Sequence, residues 1–364
     1  VGSEMCIRDR AWIVLSAIGA LPFVFSKEIP SYIDAFFETV SGFTTTGATI
    51  LADVEALSRG MLFWRGFTHW IGGMGILVFV VMLVNTPDRS INILKAEMPG
   101  PTVDKLVPKS KDTARTLYII YTALTALEVI FLLLGGMSLF DSVVHALSTA
   151  GTGGFGAYNA SAANFSPYIQ WVLTVFMFLF AINFNLFYLI LLGRMRDVFR
   201  NTEFRVYLAI VLVSVAVITV EIMPLYRTFS DSLRQAAFQV ASVISTTGFI
   251  TADFTVWTPL SKVLLLGLMF VGGCAGSTAG GLKVSRVAIL FKMMRRELRH
   301  TLRPRVVDVI KMDGRRLDEQ TAHSVAVYFA LYILSIAVLI VSLSFSRFDL
   351  ETNLFAVISC FNNV

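Results

Sequence analysis

Three runs of hydroxyl-bearing residues ending in or just past glycine interrupt an otherwise apolar sequence: Ser41-Gly-Phe-Thr-Thr-Thr-Gly-Ala-Thr49, Ser148-Thr-Ala-Gly-Thr-Gly-Gly-Phe155 and Ser245-Thr-Thr-Gly-Phe249. By spacing, a fourth copy falls at Phe361-Asn362-Asn363-Val364, where the sequence stops. Such recurrence signals internal repeats. Each run follows a helix-like stretch too short to span a bilayer, so its extended backbone at membrane depth must be buried in protein or line water. Backbone carbonyls in that setting are ligands for a cation. A single run is equally an ordinary helix C-cap. Recurrence between spanning-length apolar segments favours ion binding.

The elements that must position these turns are legible as a repeated unit. The segments Phe63–Val84, Leu117–Gly135, Tyr168–Leu192, Val206–Pro224 and Ala322–Phe345 are apolar and close to spanning length. Between them Tyr32–Phe43, Leu139–Ala150, Ser232–Ser245 and Leu350–Phe361 read as short helices leading into the turns. The expected fold is therefore an all-α polytopic membrane protein built from helix, re-entrant short helix, turn and helix. The predicted boundaries are repeat 1 at 11–84, repeat 2 at 117–192, repeat 3 at 206–294 and a partial repeat 4 at 321–364, with loops at 85–116, 193–205 and 295–320. Residues 1–10 are polar, lack an initiator Met and resemble translated adaptor sequence, so they are expected to be a non-native lead. The abrupt end at Val364 is expected to make the chain a fragment at both ends.

Composition agrees with that class. The chain is 55% hydrophobic and 15% charged, with a mean hydropathy of +0.71. The net charge of +5 does not point to nucleic acid, because Lys and Arg gather in the inter-repeat loops. Asn85–Thr116 carries Arg89, Lys95, Lys105, Lys109, Lys111 and Arg115; Gly193–Arg205 carries four arginines; Lys283–Gln320 carries eleven Lys and Arg. Such loops are cytoplasmic by the positive-inside rule, so the turns are expected to open outward. Cys6, Cys274 and Cys360 are too scattered for a disulfide framework or a zinc site.

The third repeat contains a break. Leu260–Val271 makes about 18 Å of helix at 1.5 Å per residue, short of a core of about 30 Å, and resumes at Leu282. Between lie Gly272, Gly273, Gly276, Gly280 and Gly281, with Ser277 and Thr278 to answer polar groups. Non-helical backbone there should lie across a water-filled path, held by few contacts and free to move as a gate. Lys283 is expected either to place a charge near the cavity or to snorkel to the cytoplasmic interface.

These turns, together with Gly272-Gly-Cys-Ala-Gly-Ser-Thr-Ala-Gly-Gly-Leu-Lys283, resemble the TrkH/TrkG/KtrB superfamily of potassium uptake proteins over nearly the whole chain from Ala11 onward. The resemblance implies a pseudo-fourfold pore in one polypeptide, and a homodimer carrying a cytosolic nucleotide-binding regulatory ring. It implies a selectivity filter of Thr45, Thr46, Gly47, Thr152, Gly153, Gly154, Thr246, Thr247, Gly248, Asn362, Asn363 and Val364, whose backbone carbonyls bind K+ as the transported ion. It also implies no cofactor in the chain and a multi-pass place in the cytoplasmic membrane. Glycine at Gly47 is the family's potassium-preferring form. Two departures are noted: the glycine after the fourth turn and the last spanning helix fall beyond Val364.

From the residues themselves, glycine permits the dihedrals that direct successive carbonyls one way, and the helix C-termini favour a cation. Asp34 and Glu38 are expected either to add attraction at the outer mouth or to be a solvated face. The basic stretch Lys292–Arg305 reads as a docking site for the regulatory ring or as topogenic charge. Enzymatic readings fail: Gly276–Lys283 resembles a phosphate loop but has Leu282 where the lysine is required. His69, His145, His300 and His323 lack ligand spacing, and His145 is expected to be packed and hydrogen-bonded. The alternatives are a sodium- or proton-coupled secondary cation transporter with a midplane site and, less favoured, a membrane enzyme acting on lipid-linked substrates.

Overall fold

The computed structural model describes residues 2–75, 110–303 and 309–364. Its helices are α1 (Gly2–Gly19), α2 (Leu21–Phe25), α3 (Tyr32–Phe43), α4 (Arg59–Gly73), α5 (Ser110–Leu134), α6 (Leu139–Gly151), α7 (Pro167–Phe180), α8 (Phe184–Leu191), α9 (Met195–Arg200), α10 (Thr202–Ile222), α11 (Phe229–Ile244), α12 (Pro259–Val271), α13 (Val284–Leu302), α14 (Glu319–Leu343) and α15 (Leu350–Asn362). A two-residue antiparallel hairpin, β1 (Lys311–Met312) and β2 (Arg315–Arg316), is added to the expected all-α fold. The far half of the expected span Phe63–Val84 and most of the loop 85–116 lie outside the described residues. Residues 2–10 continue α1 without interruption.

The four short helices α3, α6, α11 and α15 share a start signal. Ser31, Ser138, Thr228 and Asp349 each accept the amide three residues on, at Asp34, Asp141, Asp231 and Thr352. This answers an orphan amide, and the acidic residues suit the positive helix end. Asp34 therefore belongs to the start of α3, at the opposite end from the turn.

Arg115–Leu134, Thr202–Leu225 and Glu319–Ser346 are long and apolar enough to cross a bilayer. The second helices of repeats 2 and 3 are not plain spans. The predicted Tyr168–Leu192 is split into α7 and α8, bent by 92°. Asn183 starts α8 by accepting the Asn185 amide at 2.9 Å, and the carbonyls released at the break bond elsewhere, as described below. An asparagine within an apolar run is the local signal for this interruption.

Close approach of helices rests on glycine. A Cβ on Gly73 would lie 2.6 Å from the Cα of Gly151, which seats α4 on the end of α6, whereas one on Gly60 would meet only the Ser58 hydroxyl at 3.8 Å. Small residues permit such contact where lipid supplies no hydrophobic drive. Gly73→Ala is expected to cost about 1–3 kcal/mol through overpacking. Thermal unfolding in detergent checks this, with Gly60→Ala expected to melt close to the wild type.

Candidate functional site

The four turns close in the same way. The carbonyls of Ser41, Ser148, Ser242 and Ser359 accept the amides of Thr46, Gly153, Thr247 and Val364 at 3.0, 3.1, 2.9 and 3.0 Å. The residue just before each donor is left-handed, with φ of 58° at Thr45, 55° at Thr152, 56° at Thr246 and 57° at Asn363. This is the Schellman closure of a helix C-terminus, so the cap reading and the binding-site reading describe one object. The left-handed residue is usually glycine, and a side chain costs roughly 1–2 kcal/mol there. Threonine at three equivalent positions is strain concentrated at one place, which marks a functional site.

Glycine takes over two residues later, with φ of 76° at Gly47, 78° at Gly154 and 81° at Gly248. A Cβ on Gly47 would strike the carbonyl oxygen of Gly153, and one on Gly154 that of Thr247. One on Gly248 would lie 3.3 Å from the carbonyl carbon of Val364. Turn 1 thus abuts turn 2, turn 2 abuts turn 3, and turn 3 abuts turn 4. The Thr46 hydroxyl donates to Asn363 Oδ1 at 2.9 Å, which joins the fourth turn to the first. The geometry brings together the predicted residues of all four turns in a head-to-tail ring. Asn362 stands one position earlier in register than Thr45, Thr152 and Thr246. It ends α15, its Oδ1 accepts the Tyr332 hydroxyl at 2.5 Å, and its Nδ2 donates to the Ile358 carbonyl at 2.8 Å.

The break Gly272–Lys283 lies against this ring. The Gly280 amide donates to the Thr246 hydroxyl at 2.6 Å, and a Cβ on Gly280 would strike the Asn362 carbonyl. On its other side the break fills the gap between α7 and α8: Cys274 N–H donates to the Ala181 carbonyl at 2.9 Å and Phe184 N–H to the Gly276 carbonyl at 3.0 Å. Thr278 Oγ1 donates to the Phe180 carbonyl at 3.2 Å. Gly272, Gly276 and Gly281 have φ of 66°, 73° and 75°. The expectation of a loop held by few contacts is corrected: both ends are tethered. Lys283 does not snorkel; it is buried and its ammonium donates to the Ala279 carbonyl. Thr44, Thr45, Asn362 and Asn363 of the ring and Gly276–Gly281 of the break line part of a cavity of about 320 Å³.

A family model described as TrkH, cation transport protein, matches residues 3–364. The chain belongs to this family. It is 38% identical over 360 residues to the Trk system potassium uptake protein TrkH of Salmonella typhimurium, covering 97% of this chain and 74% of that protein. It is 35% identical over 361 residues to TrkG of Escherichia coli K12, with the same coverage. The crystal structure of the potassium transporter TrkH from Vibrio parahaemolyticus superposes with a TM-score of 0.86 at 34% identity, over 97% of this chain and 74% of that one. The TrkH family consists of ion transporters, so this member is a transporter and not an enzyme.

Sequence reasoning missed what supports this TrkH-family ring. Arg65 Nε donates to Glu38 Oε1 at 2.8 Å, with both side chains almost wholly buried. Glu38 is therefore neither a solvated face nor a free charge at the mouth, which corrects both expectations. It also accepts the Thr49 hydroxyl and the Ile50 amide, each at 3.0 Å, fixing the segment that leaves turn 1. The Arg65 guanidinium lies 4.0 Å from the Phe155 ring centre just after turn 2, and His69 stacks on the same ring at 4.1 Å. His69 Nδ1 lies 2.9 Å from the Ser148 hydroxyl, and its ring occupies the space a Cβ on Gly153 would need. His145 is packed as expected, its Nδ1 bonded to the Asp141 carbonyl at 2.8 Å. The available signal was an arginine inside an apolar span, which demands a buried partner.

Removing one member of such a pair strands the other. Arg65→Met is expected to lower stability by about 3–5 kcal/mol, and adding Glu38→Gln to restore part of it. A double-mutant cycle in detergent unfolding checks the coupling, and strict additivity would mean that the pair contributes nothing jointly.

Proposed function

We propose that the chain takes up potassium across the cytoplasmic membrane through the ring of turns, which acts as its selectivity filter. The observation that carries the reading is the ring itself: four equivalent backbone caps in cyclic order, with glycines where three of the turns meet the next carbonyl. Relatives named potassium uptake proteins support the choice of ion. Carbonyl dipoles in such a ring replace a cation's hydration shell. The C-termini of α3, α6, α11 and α15 each contribute roughly half a negative charge, about two charges in all, which favours a cation at the ring and in the cavity beside it. The turns face outward in this reading, because the basic loops belong inside.

Gly272–Gly281 is the gate. It touches turns 3 and 4 and forms one side of the cavity next to the ring, so its displacement would alter the path for an ion. The working unit is a homodimer with a cytosolic nucleotide-binding regulatory ring. The basic face of α13 is a docking site for that ring, although Arg296 is already paired with Glu319 at 2.6 Å, and Arg305 lies outside the described residues.

Gly47→Ser should weaken discrimination between potassium and sodium by about tenfold, a change of 1.4 kcal/mol, because the added Cβ displaces the Gly153 carbonyl. Uptake of the two ions by the intact transporter in proteoliposomes measures it. Unchanged selectivity would put Gly47 outside the filter, and saturable exchange of an organic solute without ion conductance would favour the carrier alternative. Deleting Ala275–Ala279 should raise basal potassium flux and reduce its dependence on the regulatory partner. A folded deletion that changes neither would place the gate elsewhere.

A further inference from the structure

Helix α13 begins without a cap of its own. Its N-cap residue, Lys283, has φ of 78° and makes no side-chain capping bond, although the first amides of a helix need acceptors. The acceptor comes from another helix. Glu203, in the first turn of α10 and 6% exposed, accepts the Ser285 amide at 3.0 Å and the Ala275 amide at 2.7 Å, both on Oε1. Those residues lie ten apart in sequence, one within the break and one just past its end. A single carboxylate oxygen therefore closes the break into a loop and caps the helix that follows, at the helix end where negative charge is favoured.

The position of Glu203 is in turn fixed from the hairpin that precedes α14. Asp313, at the hairpin turn, accepts the Thr202 amide at 2.6 Å and the Asn201 side-chain amide at 3.1 Å, while its own amide donates to the Thr202 hydroxyl at 3.3 Å. The hairpin packs on α13 and α14 through Ile310, Met312 and Leu317 with Ile289 and Val325. An unbroken line of bonds thus runs from an exposed turn, through residues 201–203, to both sides of the break.

We propose that Glu203 is the positioning residue that holds the break segment in its conformation beside the ring, and that Asp313 sets Glu203 from the hairpin side. The inference deepens the gate reading and rests on it. Glu203→Ala removes the shared acceptor, whereas Glu203→Gln keeps an acceptor oxygen of the same reach. Two measurements on the intact transporter in proteoliposomes separate the ideas: basal potassium flux, and labelling of an added Ser277→Cys by a water-soluble thiol reagent above the background of the native cysteines.

In Glu203→Ala both should rise, flux by about tenfold, the scale of one lost coupling between sites. In Glu203→Gln both should stay within about twofold of the wild type by the same measure. Asp313→Ala, on an exposed turn, should raise labelling by about threefold, a smaller share of that coupling. If labelling is the same in wild type, Glu203→Ala and Asp313→Ala, the positioning role is overturned. If Glu203→Ala does not fold, the Asp313→Ala labelling decides alone. Labelling that rises without a rise in flux upholds Glu203 as the positioning residue and overturns the gate reading on which its effect on transport depends.

Discussion

A bilayer offers no water to an unpaired peptide group, and the architecture follows from how this chain answers that demand where it leaves helix at membrane depth. In the turns, one amide of each is closed back onto a serine carbonyl, at Ser41, Ser148, Ser242 and Ser359. In the break of repeat 3, the partners come from elsewhere: the carbonyls of Phe180 and Ala181, the Thr246 hydroxyl and the Glu203 carboxylate. The first solution is local and can form with its helix. The second requires repeats 2 and 3 to be in place together, so assembly of the ring and placement of the break are one folding problem.

The strain in the turns has the same origin. A left-handed threonine costs roughly 1–2 kcal/mol against glycine, and the cost recurs at Thr45, Thr152 and Thr246. At Thr246 the reason is visible, since its hydroxyl accepts the Gly280 amide. Glycine is kept for the next left-handed position, where the neighbouring turn leaves no room for a side chain. Thus side chains are spent where they bond and removed where backbones meet. The buried Glu38–Arg65 pair then stiffens the outside of the first two turns with a charge that is neutralised before it reaches the axis.

What could be read in the sequence was what is set locally. The short helix Tyr32–Phe43 was placed to the residue, because its limits are a serine cap and a threonine-glycine turn. The break in repeat 3 was legible from five glycines and the length deficit of the preceding helix. The bend between Phe180 and Phe184 was not, because its carbonyls are satisfied by Cys274 and Thr278, almost a hundred residues away, and only Asn183 hinted at it. Glu203 carries no local signal of its role, which depends on the amides of Ala275 and Ser285, 72 and 82 residues further on. Asn362 was assigned with the turn because sequence spacing cannot resolve a one-residue register, whereas the φ of Asn363 does.

The four turns are equivalent in backbone and unequal in side chain, and the two properties divide the labour. Positions after the left-handed residue hold Thr46, Gly153, Thr247 and Val364, with no side-chain chemistry common to all four, yet their amides close the same bond. What the four turns have in common is therefore backbone, and the proposed filter rests on their carbonyls. Among the described residues, the second helices of repeats 2 and 3 differ from each other. There repeat 2 is bent and repeat 3 is broken, and each interruption supplies the partners the other lacks, with Phe184 donating to Gly276 and Cys274 donating to Ala181. Moving the break therefore exposes unsatisfied groups in two repeats at once, unless water or an altered bend replaces them. A segment with that penalty is held in this one arrangement until both sets of partners are replaced together.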